Sequence, residues 1–288
     1  MSLKYLAYPV DYLDQRLLVI DDGSLLEWAQ NHNLPPWRAQ LEAVRSRILP
    51  LRYLKNFWSL GYKEQEKICS SEVFVCGCGG LGGILIHLLA RAGVGRIRVA
   101  DRDIFFPTNL NRQILCDVEH LSRPKVHVIE ERMKAVNPLI HIAPISVDLN
   151  RENADELIHG SDLVLDALDN VSGRFVLAEA ARLLGIPFIH AAASGWWGQI
   201  GTFLPDSPSS LSDVYGKMRS RELSEETAGI LGPTAAVIGS LEALEALRIL
   251  SGREPAYSGK LLYFDGESGG FEMVPLERDS RDRQPRDA

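Results

Sequence analysis

Residues 73–103 carry the feature that most constrains what this chain can fold into. They read Val73-Phe74-Val75-Cys76-Gly77-Cys78-Gly79-Gly80-Leu81-Gly82-Gly83, an apolar segment to Ala92, Gly93-Val94-Gly95, and then Ile97-Arg98-Val99-Ala100-Asp101-Arg102-Asp103. A short apolar run ahead of glycines suits a buried parallel strand. Gly77, Gly79 and Gly82 permit positive φ and let a phosphate approach bare backbone, with Gly80 in the same cradle. Leu81, Ile84, Leu85, Leu88 and Leu89 share one face of the helix that follows. The N-terminus of that helix offers unpaired N–H groups and the positive end of a dipole. Asp101 ends the next predicted strand, roughly twenty residues past the glycines, where a ribose-binding acid is expected. This order favours a nucleotide site over a tight turn that binds nothing. By itself it does not separate NAD from ATP.

The chain has 288 residues, 45% of them hydrophobic, enough for a sizeable core. A net charge of −7 argues against a general nucleic-acid binder. No run is long and apolar enough for a membrane span, and the start does not read as a signal peptide. Cys69, Cys76, Cys78 and Cys116 lack zinc spacing. They imply a reduced, cytoplasmic setting without structural disulfides.

Residues 1–50 read as an N-terminal, mainly helical extension. Residues 17–20 suit a short strand, and Ser24 is the expected cap of a helix carrying Leu25, Leu26 and Trp28. After Pro35-Pro36, the residues Trp37, Leu41, Val44 and Ile48 recur at helical spacing, and Pro50 ends the run. Arg38, Arg45 and Arg47 form its solvated face. From residue 51 to 276 strands and helices alternate as in a doubly wound α/β sheet. Helices are expected over residues 63–69, from a Ser122 cap to Asn137-Pro138, and over residues 151–158, 171–184 and 233–250. Strands are expected over residues 140–145, 163–165 and 187–190. Residues 199–204 suit an antiparallel strand, and residues 261–265 and 271–275 a closing hairpin. Residues 206–229 read as a long polar loop and residues 277–288 as a charged tail.

Open α/β sheets bind ligands at the carboxyl ends of their strands. The glycine turn, Asp101 with Asp103, and Asp169-Asn170 all fall at that edge. Asn109, Arg112 and Lys125 lie on connections leaving the same side. An acid for ribose, two cations for phosphates and a carboxylate for Mg²⁺ fit ATP better than a dinucleotide. Taken singly, Asp169 could cap a helix, Lys125 could be solvated and Arg112 could pair with a surface acid.

The motifs Gly77-Cys78-Gly79-Gly80-Leu81-Gly82, Asp101-Arg102-Asp103, Asn109-Leu110-Asn111-Arg112-Gln113, Pro124-Lys125-Val126, Asn137-Pro138 and Asp166-Ala167-Leu168-Asp169-Asn170 resemble those of the ThiF/MoeB/HesA family. Gly232-Pro233 followed by Gly239, Ala243 and Glu245 is similar to its late helix. The resemblance implies a mostly parallel Rossmann-like sheet with antiparallel C-terminal strands. It implies ATP·Mg²⁺-dependent adenylation of a C-terminal carboxylate, commonly that of a small β-grasp sulfur carrier ending in Gly-Gly. By that carry-over Asp101 holds ribose, Asn109, Arg112 and Lys125 hold phosphates, and Asp169 holds the metal. Arg112, Lys125 and Asp169 are the catalytic set, and a homodimer is implied.

Three departures qualify the resemblance. The usual zinc-binding cysteine pairs are absent, so no zinc is expected. No cysteine stands in residues 206–230, so adenylation without a covalent enzyme–carrier intermediate is expected. Arg52-Tyr53-Leu54-Lys55-Asn56 has a lysine where the family's cross-subunit arginine stands, losing the planar fork. The same site could adenylate a peptide, a small molecule or a tRNA base, or the chain could be a non-catalytic scaffold subunit. For an oxidoreductase, residues 109–112 and Asp169 are surplus. Trp196 and Trp197 suit either the core or a channel for an extended tail.

Overall fold

The computed structural model describes residues 2–216 and 229–276. The N-terminal extension holds both expected helices, and with them a three-stranded sheet that the sequence pattern showed only in part. Strands β1 (Tyr8–Tyr12) and β2 (Gln15–Ile20) form an antiparallel hairpin. Helix α1 (Asp22–Asn31) follows, capped by Asp21 rather than Ser24. The Asp21 carboxylate accepts from the Ser24 N–H at 2.9 Å, leaving Ser24 inside the first turn. Helix α2 (Pro36–Arg45) starts on a proline, as N1 positions allow. It ends earlier than its apolar spacing suggests. Arg47 adopts φ 59°, and Ile48 leaves the helix to pair with Leu18 in strand β3 (Ile48–Pro50), parallel to β2.

Helix α3 (Tyr62–Ser70) leads into the main sheet. The unit then runs β4 (Glu72–Cys76), α4 (Gly80–Ala92), β5 (Arg96–Ala100), α5 (Lys125–Val136), β6 (His141–Ile145), α6 (Ala154–Ile158), β7 (Leu163–Asp166), α7 (Val171–Leu183), β8 (Phe188–Ser194) and β9 (Trp197–Phe203). It closes with α8 (Leu211–Tyr215), α9 (Gly232–Leu250), β10 (Lys260–Asp265) and β11 (Gly270–Pro275). The strand order is β11-β10-β9-β8-β7-β4-β5-β6. β4 to β8 are mutually parallel, while β9, β10 and β11 run antiparallel, as the sequence implies. The winding reverses between β4 and β7. That is the switch point where open α/β sheets bind ligands.

Period-2 alternation on β4 divides the core. Val73 and Val75 face α4, α5 and α9, whereas Phe74 and Cys76 face α6 and α7. Leu85 and Leu89 of α4 are fully buried, contributing about 1.5–3 kcal/mol each by area. α9 crosses α4 closely because Gly239 has no side chain. A Cβ there would lie 2.8 Å from the Leu81 carbonyl oxygen.

Other expectations shift locally. Ser122 does not cap α5: it adopts φ 65° and donates its N–H to Phe105 O at 2.8 Å, and Pro124 stands at the cap. α6 is shorter than residues 151–158, and β8 runs on to Ser194 through alanines. The polar stretch after β9 contains α8, closed by a capping box between Ser210 and Asp213. The remainder of that stretch, 217–228, and the charged tail, 277–288, lie outside the described residues. No helix of the described residues is long and apolar enough to cross a membrane.

Candidate active site

The site is built where β4 turns into α4. Gly77 adopts φ 100°, and a Cβ on it would meet Ala167 O at 2.3 Å; one on Gly82 would meet Gly77 O at 2.0 Å. The turn is therefore folded tightly against the end of β7, where the Ala167 N–H donates to Cys76 O at 2.8 Å. Gly79 differs: its Cβ direction is open, with Gln113 Nε2 3.8 Å away. Gly80 begins α4 with Arg112 beside it, the Arg112 carbonyl lying 3.3 Å from its Cβ position. No side chain caps α4, so its first N–H groups and dipole face the open side of the turn.

Asp101 leaves the end of β5 and closes the turn from the side. Its Oδ2 accepts from the Cys78 N–H at 2.7 Å and its Oδ1 from the Asp103 N–H at 2.8 Å. With its side chain 10% exposed, burial raises its pKa, opposed chiefly by Lys125 and by those two N–H bonds. Lys125 is buried on the first turn of α5. Its Nζ lies 3.1 Å from Asp103 Oδ2 and 4.0 Å from Asp101 Oδ2. Its position is fixed by backbone, since Lys125 N donates to Asp103 O at 3.0 Å. Its Nζ is thus held between two carboxylates at the edge of the turn.

Asn109 is buried and already engaged: its Oδ1 accepts from the Phe106 N–H at 2.9 Å, holding a 3₁₀ turn over Pro107–Asn109. Its Oδ1 thus shapes the loop that carries Arg112. Arg112 is half-buried, with Nη1 donating to Thr108 O at 3.0 Å and Asn111 Oδ1 at 3.1 Å. Asp169 is exposed two residues ahead of α7. Asn170, not Asp169, caps that helix, accepting from the Gly173 N–H at 2.8 Å. This leaves the Asp169 carboxylate facing solvent, bonded to Asn170 Nδ2 at 3.3 Å. The glycine turn, Asp101, Asp103 and Lys125 are thus in mutual contact. Arg112 lies against Gly80, and Asp169 stands on the neighbouring strand end, beside Ala167.

The thiols around the turn are packing residues. Burial pushes the pKa of Cys76 and of Cys78 far up, so both stay protonated and inert. Trp197 stacks on Tyr263 at 6.2 Å, whereas Trp196 is 54% exposed and is not core. Lys55 sits over the Tyr12 ring at 4.7 Å within the same chain. Among the described residues no group of three or more His, Cys, Asp or Glu side chains gathers as a metal cage. A cavity of about 320 Å³ lies behind α7, lined by Phe175, Arg182, Phe203 and the serines ahead of α8, and shares no residue with this site.

Sequence reading missed the buried polar cluster beneath the turn after β7. Asp166, Arg174, His190, Gln199 and Tyr215 converge there from five elements. One signal was available, a histidine inside the otherwise apolar run of β8. It also missed Glu242, fully buried on α9.

Residues 52–285 match the ThiF family. The chain is 35% identical over 244 residues to a sulfur carrier protein adenylyltransferase of Thermus thermophilus, covering 82% of this chain and 87% of that protein. It is 36% identical over 217 residues to the sulfur carrier protein ThiS adenylyltransferase of Escherichia coli, covering 75% and 86%. It spans only about half, 52%, of the adenylyltransferase and sulfurtransferase MOCS3 of Xenopus laevis, at 34% identity over 236 residues and 81% of this chain. In fold it resembles E. coli MccB solved with ATP, with a TM-score of 0.69 at 20% identity over 80% of this chain and 72% of that one. Matched in sequence from residue 52 onward and similar in fold to a solved ATP complex, this chain belongs to the ThiF family.

Proposed function

We propose that the protein adenylates the C-terminal carboxylate of a small sulfur-carrier or ubiquitin-like protein, using ATP·Mg²⁺ and releasing pyrophosphate. The observation that carries this reading is the open, uncapped turn at Gly79 with Lys125 buried beside it and Asp101 at its side. Asp101 would accept from ribose hydroxyls. The N–H groups of the turn, Arg112 and Lys125 would hold phosphate oxygens. Asp169, a solvent-facing carboxylate with no cap to serve, fits the one or two carboxylates that Mg²⁺ takes alongside phosphate oxygens. The bound ion would neutralise charge on the departing pyrophosphate.

The substrate carboxylate oxygen attacks the α-phosphorus, a new P–O bond forms, and the bond to the β-phosphate oxygen breaks. No side chain need act as nucleophile or base. Lys125 and Arg112 oppose the negative charge that builds on the phosphates, and the preorganised turn fixes the α-phosphate in line. The carrier is the expected substrate because three relatives are named for it or for SAMP activation. A homodimer, as the resemblance implies, belongs to the same proposal.

ATP–pyrophosphate exchange tests it. Exchange should require a protein ending in Gly-Gly. Asp169→Ala and Arg112→Ala should each lower it by roughly a hundredfold or more while the fold is kept. Absence of exchange with every carrier and peptide offered, together with no ATP binding, overturns the proposal.

A further inference from the structure

A closed ring of hydrogen bonds lies beneath the turn that carries Asp169. Asp166 Oδ1 accepts from the Leu168 N–H at 3.0 Å, and its Oδ2 from His190 Nδ1 at 2.7 Å. His190 Nε2 lies 3.1 Å from the Tyr215 hydroxyl. That hydroxyl accepts from Arg174 Nη1 at 2.7 Å, and Arg174 Nη2 donates to Leu168 O at 2.5 Å. The ring thus begins and ends on Leu168 and engages both of its backbone polar groups. The carbonyl it holds belongs to the peptide bond that joins Leu168 to Asp169.

One arrangement of protons serves each bond of the ring, with Arg174 Nε left at ion-pair distance, 3.7 Å, from Asp166 Oδ2. With Asp166 Oδ2 accepting, Nδ1 of His190 carries the proton and Nε2 is an acceptor. Tyr215 then donates to Nε2, and its lone pairs take Arg174 and Gln199 Nε2, the latter at 3.1 Å. Asp166 and His190 are fully inaccessible, and Arg174 is buried over them. In so dry a setting, removing one link strands the others. Tyr215 is the member that comes from neither the sheet nor α7. It ends α8, which is anchored by its capping box and by Leu211 in the core. The parallel ladder of β7 with β4 and β8 stands without the ring, so the ring is surplus to strand pairing.

We propose that Tyr215 and His190 are positioning residues which, through Arg174 and Leu168, orient Asp169, so that α8 sets the geometry of the metal-binding carboxylate. This rests on the reading of Asp169 as the Mg²⁺ ligand. Two measurements on the full chain test it. The first is amide hydrogen exchange of the 167–170 segment. Tyr215→Phe and His190→Leu should speed it about tenfold or more without changing β4. His190→Gln, which can donate to Asp166 and accept from Tyr215, should restore protection.

The second is Mn²⁺ affinity in the presence of saturating non-hydrolysable ATP analogue. Tyr215→Phe should weaken it several-fold in the wild-type background and add nothing in an Asp169→Asn background. Unchanged exchange in 167–170 overturns the proposal, and so does a Tyr215→Phe effect that persists undiminished with Asp169→Asn. A wild-type protein that binds no ATP·Mn²⁺ overturns the reading of the site itself. In that case the link from Tyr215 to a metal falls with it, while the exchange rates still report whether the ring holds the turn.

Discussion

Two glutamates one turn apart on α9 show how little burial alone decides. Glu245 is buried but fully served: its carboxylate accepts from Thr202 Oγ1 at 2.7 Å and from the N–H groups of Ala256 and Tyr257 at 3.0 and 3.1 Å. Glu242 is buried with neither oxygen hydrogen-bonded among the described residues, the Asp166 backbone facing it without bonding geometry. Burial, aided by the nearby Asp166 charge, pushes its pKa well above the usual carboxylate range. The folded state therefore holds this proton more tightly than the unfolded chain does. The stability tied to that proton is complete below about pH 4.3 and is lost as pH rises through the folded-state value. Glu242→Gln keeps the shape and removes the ionisation. Its melting temperature should match the wild type near pH 4.5 and exceed it by about 2 °C or more at pH 8. A gap that does not grow with pH would sink this account.

At the scale of the element, the glycine turn separates two roles that one residue type can serve. Gly82 lacks a side chain because Gly77 O occupies the place, whereas Gly79 lacks one with nothing within 3.8 Å. Gly82→Ala should pry α4 from the turn, lowering both melting temperature and ATP affinity. Gly79→Ala should melt within about 1 °C of wild type and still lose ATP affinity tenfold or more, because its methyl group fills the phosphate's approach. Equal loss of stability in both variants would argue that Gly79, too, serves only the fold. The turn was legible in sequence because its determinants are local: apolar run, glycines, periodic helix and acid lie within thirty-odd residues. The same holds for α9, opened by Pro233 and closed ahead of Gly252. What stayed hidden was set by distant partners. Ile48 continues the helical spacing of α2, yet joins a strand because Leu18 offers a ladder thirty residues earlier. Ser24 and Asp21 are both good caps, and local sequence does not tell that Asp21 takes the place. Asp166, His190 and Tyr215 are each separated by more than twenty residues, so no spacing announces that they meet.

Across the whole molecule, a buried phenol is one of the contacts that tie the N-terminal unit into the nucleotide half. The Tyr53 hydroxyl donates to Gln40 Oε1 on α2 at 2.7 Å and accepts from Asn137 Nδ2 at 2.9 Å. Asn137 Nδ2 also donates to Ala90 O at 2.7 Å, at the end of α4. Gly93 has no side chain there because the Tyr53 ring would lie 2.5 Å from its Cβ. Nearby, Arg52 pairs with Asp22 of α1 and donates to Val136 O at 3.0 Å. Gln40, Tyr53 and Asn137 therefore form one shared polar cluster between the two halves, sealed from water. Such a joint makes the two halves unfold together, since opening either one strands buried amides of the other. A single calorimetric transition is expected for the full chain. Tyr53→Phe keeps the ring and leaves Gln40 and Asn137 short of a partner, at a cost of about 1–3 kcal/mol. It should lower that one transition by several degrees without splitting it. An early, separate transition that Tyr53→Phe leaves unmoved would mean that the extension is an independent module, held by its apolar contacts alone.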